Sequence, residues 1–110
     1  MDKDTFHRKG KKMLREIATQ LELPKGSYDV RSNKGGDGIM GEVTLHADHL
    51  YVQVGAIDPE QVLYRSCRSR KDYKGGMNRW MSIFKLTSDR PGTLAAFRQA
   101  MSVADSEPHY

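Results

Sequence analysis

Between Arg65 and Trp80 the chain reads Arg-Ser-Cys-Arg-Ser-Arg-Lys-Asp-Tyr-Lys-Gly-Gly-Met-Asn-Arg-Trp, six cationic side chains against one aspartate. Guanidinium groups grip phosphate oxygens in pairs, glycines let a backbone approach a phosphate closely, and aromatic rings stack on unpaired bases. The chemistry this composition implies is contact with nucleic acid or another polyanion. Arg65, Arg68, Arg70, Lys71, Lys74 and Arg79 are the candidate phosphate contacts and Tyr73 the candidate stacking ring. The competing reading is a solvated hairpin whose cations protect an edge strand.

Other residue types that could do chemistry do not assemble into a site. His7, His46, His49 and His109 lack metal-ligand spacing, and His46 and His49 merely flank a turn with Asp48. Cys67 lies between Arg65 and Arg68, which would favour its thiolate if exposed, but no base stands near it in sequence. Asn33-Lys34-Gly35-Gly36-Asp37-Gly38 has the glycine content of a phosphate loop without its context. It joins two strands, opens no helix and lacks Gly-Lys-Ser/Thr. No nucleophile, base and orienting group come together, so a binding module is expected rather than an enzyme, with no cofactor and no metal.

Charge is distributed unevenly along the 110 residues. The net value is +3 over residues 1–26, −4 over 27–60, +6 over 61–90 and −1 over 91–110. Such alternation predicts a dipolar surface that attracts a polyanion on one side. Arg8, Lys9, Lys11, Lys12 and Arg15 form a second cationic run, either an extension of that surface or the wet side of a helix. With one cysteine no internal disulfide is possible, and no apolar run reaches the ~18–20 residues of a membrane span. The charged start Met1-Asp2-Lys3-Asp4 lacks the apolar stretch of a secretory signal, so a cytoplasmic protein that meets no membrane is expected.

The elements that must position these residues follow from periodicity. Phe6, Met13, Leu14, Ile17 and Leu21 recur at helical spacing, with Asp4 or Thr5 as cap and Pro24 beyond the end. Tyr28, Val30 and Ser32 alternate with polar residues in a first strand. Ile39, Gly41, Val43 and Leu45 mark a second, and Leu50, Val52 and Val54 a third after a turn at Ala47-Asp48. A fourth runs from Val62 to Arg68 and a fifth from Trp80 to Leu86, with Trp80, Phe84 and Leu86 facing inward. Ser88 or Asp89 caps a last helix with Pro91 in its first turn and Leu94, Phe97 and Met101 on its buried stripe.

The expected fold class is therefore α+β: an antiparallel meander of about five strands with N- and C-terminal helices on one face, in the order α-β-β-β-β-β-α. One domain spans residues 1–104 and a disordered tail 105–110. The opposite face is expected to be wet, displaying Arg31, Glu42, Thr44, His46, Tyr51 and Gln53.

Four stretches carry a resemblance to known proteins: Tyr28 to Gly36, Gly41 to His46, Leu50 to Val54, and Arg70-Lys71-Asp72-Tyr73-Lys74-Gly75-Gly76-Met77-Asn78. In texture the chain resembles a family of small uncharacterised bacteriophage- and prophage-encoded proteins over most of residues 27–80. The resemblance implies a bacterial cytoplasm and a phage-related accessory role, and it attaches no activity. Two readings of function follow: a module that contacts nucleic acid through the basic loop, or a phage-encoded module that binds or inhibits a host protein through the wet sheet face. The sequence leaves oligomeric state open.

Overall fold

The computed structural model describes residues 2–55, 60–73 and 76–104. The expected tail at 105–110 and the candidate contact Lys74 lie outside the described residues, as does His109. Helix α1 runs Lys3–Gln20, followed by strands β1 (Tyr28–Asn33), β2 (Glu42–Ala47), β3 (Leu50–Val54), β4 (Gln61–Arg65) and β5 (Arg79–Ser82). Helices α2 (Ile83–Ser88) and α3 (Arg90–Ser102) complete the order. The five strands form one antiparallel sheet in sequence order, β1-β2-β3-β4-β5. The fold is the α+β meander that the periodicity predicts, with one additional short helix.

The core lies between this sheet and the helices. Leu14, Ile17 and Ala18 of α1 and Phe97 and Ala100 of α3 share one buried cluster with Val43, Leu45, Ala47, Leu50, Val52, Val54, Val62 and Met81 of the sheet. α1 packs over β1 and β2, and α3 over β3 and β4. Gly10 permits the first of these contacts, since a Cβ there would lie 3.0 Å from Val43 Cγ2. α1 begins on Asp2, whose carboxylate accepts the Thr5 N–H at 2.7 Å, ahead of both expected caps, Asp4 and Thr5. That bond holds the Asp2 carboxyl below its usual range. The helix ends in a Schellman arrangement: Leu23 N–H donates to Ala18 O at 3.1 Å and Glu22 takes φ +62.

The buried His7 ties α1 to the glycine-rich β1–β2 connection. Its Nε2–H donates to Met40 O at 2.6 Å, which leaves Nδ1 to accept the Ser32 hydroxyl at 2.6 Å. Lys3 reaches Gly36 O at 3.0 Å, and Lys34 pairs with Asp4 at 2.8 Å, an ion pair that lowers the Asp4 pKa.

Three expectations are corrected. The second strand starts at Glu42, because Gly41 turns the chain with φ +77, and Ile39 is exposed outside the sheet. The fourth strand ends at Arg65 rather than Arg68. The fifth strand stops at Ser82, whose Oγ accepts the Lys85 N–H at 3.0 Å and caps α2. Of the three side chains expected inward, only Leu86 is buried, and from a helix. Trp80 is 50% exposed and Phe84 74% exposed. On α3 the buried residues are Thr93, Phe97 and Ala100, with Leu94 and Met101 half-buried beside them.

Candidate nucleic-acid interface

Strand register sets what the helix-free face of the sheet displays. One cross-strand row reads Arg31, Thr44, Gln53, Leu63 and Trp80; the next reads Asp29, His46, Tyr51 and Arg65. Thr44, His46 and Tyr51 are buried, contrary to the expectation of a wet face. The β4–β5 connection folds back over them. Tyr73 stacks on Tyr51, with centroids 5.1 Å apart and planes 18° from parallel. It also meets the His46 ring edge-on at 4.7 Å. The Arg65 guanidinium lies 4.7 Å from the Tyr51 centroid and donates to Asn78 Oδ1 at 3.1 Å.

This layer makes a polar aromatic cleft of about 270 Å³, lined by Arg31, Glu42, Thr44, His46, Tyr51 and Tyr73. Burial, aided by the Arg31 charge, lowers the His46 pKa to about 4 and keeps the imidazole neutral. Its Nε2 shares a hydrogen bond of 2.9 Å with Thr44 Oγ1. Burial, with Glu42 nearby, raises the Tyr51 phenol to about 12, and its hydroxyl donates to Gln53 Oε1 at 2.6 Å. Two buried polar atoms here have no hydrogen-bond partner among the described residues, His46 Nδ1 and Arg65 Nε. Such atoms are costly unless something satisfies them.

The remaining candidate residues are dispersed. Arg70 fastens the loop to the other end of the sheet: its guanidinium donates to Gly26 O at 2.8 Å and lies 3.8 Å from Asp29, and its backbone N–H reaches Asp48 Oδ1 at 3.3 Å. Arg68 faces Asp72 at 3.9 Å within the loop. Arg79 donates to Met77 O at 3.3 Å and lies opposite Tyr64, on the helix side of the edge strand. Lys71 is exposed and has no partner among the described residues. The structure thus brings Arg65 and Tyr73 together through Tyr51 and distributes the others. Sequence reasoning missed the outward Trp80; its parity with the buried neighbour Met81 is the signal that identifies it.

Cys67 is fully buried, donates weakly to Ala47 O at 3.4 Å, and has its pKa raised by burial to about 11. The flanking arginines do not activate it. A thiol reagent at pH 8 is expected to leave the native protein unlabelled and to modify Cys67 only after denaturation. Among the described residues no cluster of His, Cys, Asp and Glu is arranged to hold a metal, and no helix is long and apolar enough to cross a membrane. No family model, curated protein or solved structure matches the chain.

Proposed function

We propose that this chain is a binding module for single-stranded nucleic acid, contacted through the helix-free sheet face and the basic loop bordering it. The observation that carries the reading is Trp80, half-exposed on that face in the same sheet layer as the Tyr73–Tyr51–Arg65 assembly. Aromatic rings displayed on an antiparallel sheet are platforms for unpaired bases, and neighbouring cations hold the backbone. Lys71 and Arg68 lie in the loop that carries Tyr73, and Arg31 flanks the cleft. A phage-related origin and a bacterial cytoplasm are part of this proposal, supported by the resemblance alone.

Trp80 is the sole tryptophan, so it reports on its own site. Titration with a short oligothymidylate at low salt is expected to quench its fluorescence saturably, with micromolar or tighter affinity that weakens as salt rises. Trp80→Ala is expected to weaken binding of a labelled oligonucleotide by about 5- to 100-fold, the range for loss of one stacked base. Absence of binding at low salt overturns the proposal.

A second reading, docking of a host protein, is favoured by one observation: Met77, Trp80 and Phe84 are all exposed along the edge strand and the start of α2. It differs in its mutational pattern. A protein partner is lost on Phe84→Asp and retained on Lys71→Glu, whereas an oligonucleotide responds in the opposite way.

A further inference from the structure

The cations of α1 are arranged differently from those of the loop. Arg8, Lys11, Lys12 and Arg15 follow i, i+3, i+4, i+7 spacing and form one stripe on the side of the helix away from the buried His7, Gly10, Leu14 and Ile17. Arg8, Lys12 and Arg15 are exposed and Lys11 half-buried. Among the described residues none of these four side chains, nor Lys9 beside them, makes an ion pair or hydrogen bond. The acids of the helix are committed elsewhere. Asp2 caps it, Asp4 holds Lys34, and Glu16 lies 3.9 Å from Arg90.

A helix that only needs a wet face interleaves its charges, because opposite signs at i,i+4 support it and like signs destabilise it. Here Arg8/Lys11, Arg8/Lys12, Lys11/Arg15 and Lys12/Arg15 are like-charge neighbours, and the acids at i,i+4 spacing from the stripe, Asp4 and Glu16, pair with Lys34 and Arg90 instead. The helix dipole does not account for them, since the last turn, where cations would be favoured, holds none. The stripe also lies over β1 and β2 on the helix side of the sheet, with the aromatic cleft on the other side. It therefore does not extend the loop's charge into one surface.

We propose that this stripe is a separate, sequence-independent binding surface for the phosphate backbone of duplex nucleic acid. From residue 8 to residue 15 the helix rises about 10 Å, about three axial steps of ~3.4 Å and so the span of about four phosphates of one strand. Every side chain of the stripe is a cation, and the contact proposed for them is with phosphate oxygens. The surface belongs to the other layer of the molecule and stands independently of the sheet-face reading.

The test uses the full chain and a labelled 20-base-pair duplex, followed by anisotropy at about 50 and 200 mM salt. Four phosphate contacts predict roughly 100-fold weaker binding at the higher salt. Combined Arg8→Gln, Lys11→Gln, Lys12→Gln and Arg15→Gln is expected to weaken duplex binding at low salt by at least 100-fold, with unchanged circular dichroism and a melting temperature no lower than that of the parent. Two duplexes of unrelated sequence are expected to bind equally, and duplex binding is expected to leave Trp80 fluorescence unchanged. Failure of the duplex to bind at 50 mM salt, or equal affinity in the folded quadruple variant, overturns the proposal. Tighter binding to polyglutamate than to duplex overturns it in favour of an acidic protein. Loss of oligothymidylate quenching with duplex binding intact bears against the sheet-face reading alone.

Discussion

Lowering the pH from 7 to 5 is expected to remove about 2 kcal/mol of folding stability, and to pH 4 about 3 kcal/mol, through His46 alone. The imidazole lies beneath Tyr73 and beside Tyr51 and holds its pKa at about 4, against an ordinary value of 6.5. Between those values the unfolded chain takes up a proton that the folded chain refuses, so stability falls as pH falls through this window and is fully retained above it. Asp29, on the neighbouring strand, opposes the shift but is outweighed by burial and Arg31. The depressed carboxyls of Asp2 and Asp4 add a loss of the same sign, confined to the acid end of this window, where their unfolded forms take up protons. His46→Gln keeps a partner for Thr44 without a titrating group. Urea unfolding of this variant is expected to give a lower midpoint than the parent at pH 7 and nearly the same value at pH 5. A parent protein equally stable at pH 7 and pH 5 would show that the imidazole is accessible to protons.

Gly41→Ala is expected to cost about 3 kcal/mol or more, while Gly38→Ala, in the same connection, costs about 1 kcal/mol. Both glycines have left-handed backbone, φ +77 and φ +82. They differ in what a side chain would meet. At Gly38 nothing lies within 4 Å, so only the conformational cost remains. At Gly41 a Cβ would fall on the Asn33 carbonyl oxygen and within 2.8 Å of Lys34 Cα. That backbone cannot yield without opening the start of the β1–β2 ladder, where Asn33 pairs with Glu42. Equal costs at the two positions in urea unfolding would contradict this distinction.

Features governed by neighbours in sequence were legible before the structure. The i, i+3, i+4 recurrence of α1, the alternation through β2 and β3 and the Pro91-Gly92 start of α3 each declare their element locally. Residues 80–86 misled because a short apolar run satisfies both a period of two and a period of 3.6. Ser82 decides the matter by capping α2, and an N-cap serine is easily read as a strand residue. The candidate site was less legible, since its geometry is made by long-range contacts. Nothing near Tyr73 announces that it will cover His46, 27 residues earlier, and nothing near Arg70 points to Gly26 and Asp29. Net charge by segment located the cations correctly but said nothing of which of them had acids within reach.

The sequential strand order has a consequence for biosynthesis. Every strand pairs with the one made just before it, and α1 docks on the first two strands. Contacts of short loop length favour rapid folding. Once Ala47 has left the ribosome, every residue of α1 and of the first two strands is available to pair, and each later strand follows in the order in which it joins the sheet. Assembly can therefore proceed vectorially, with the closing links from Arg90 and Arg98 back to Gln20 among the last contacts to form.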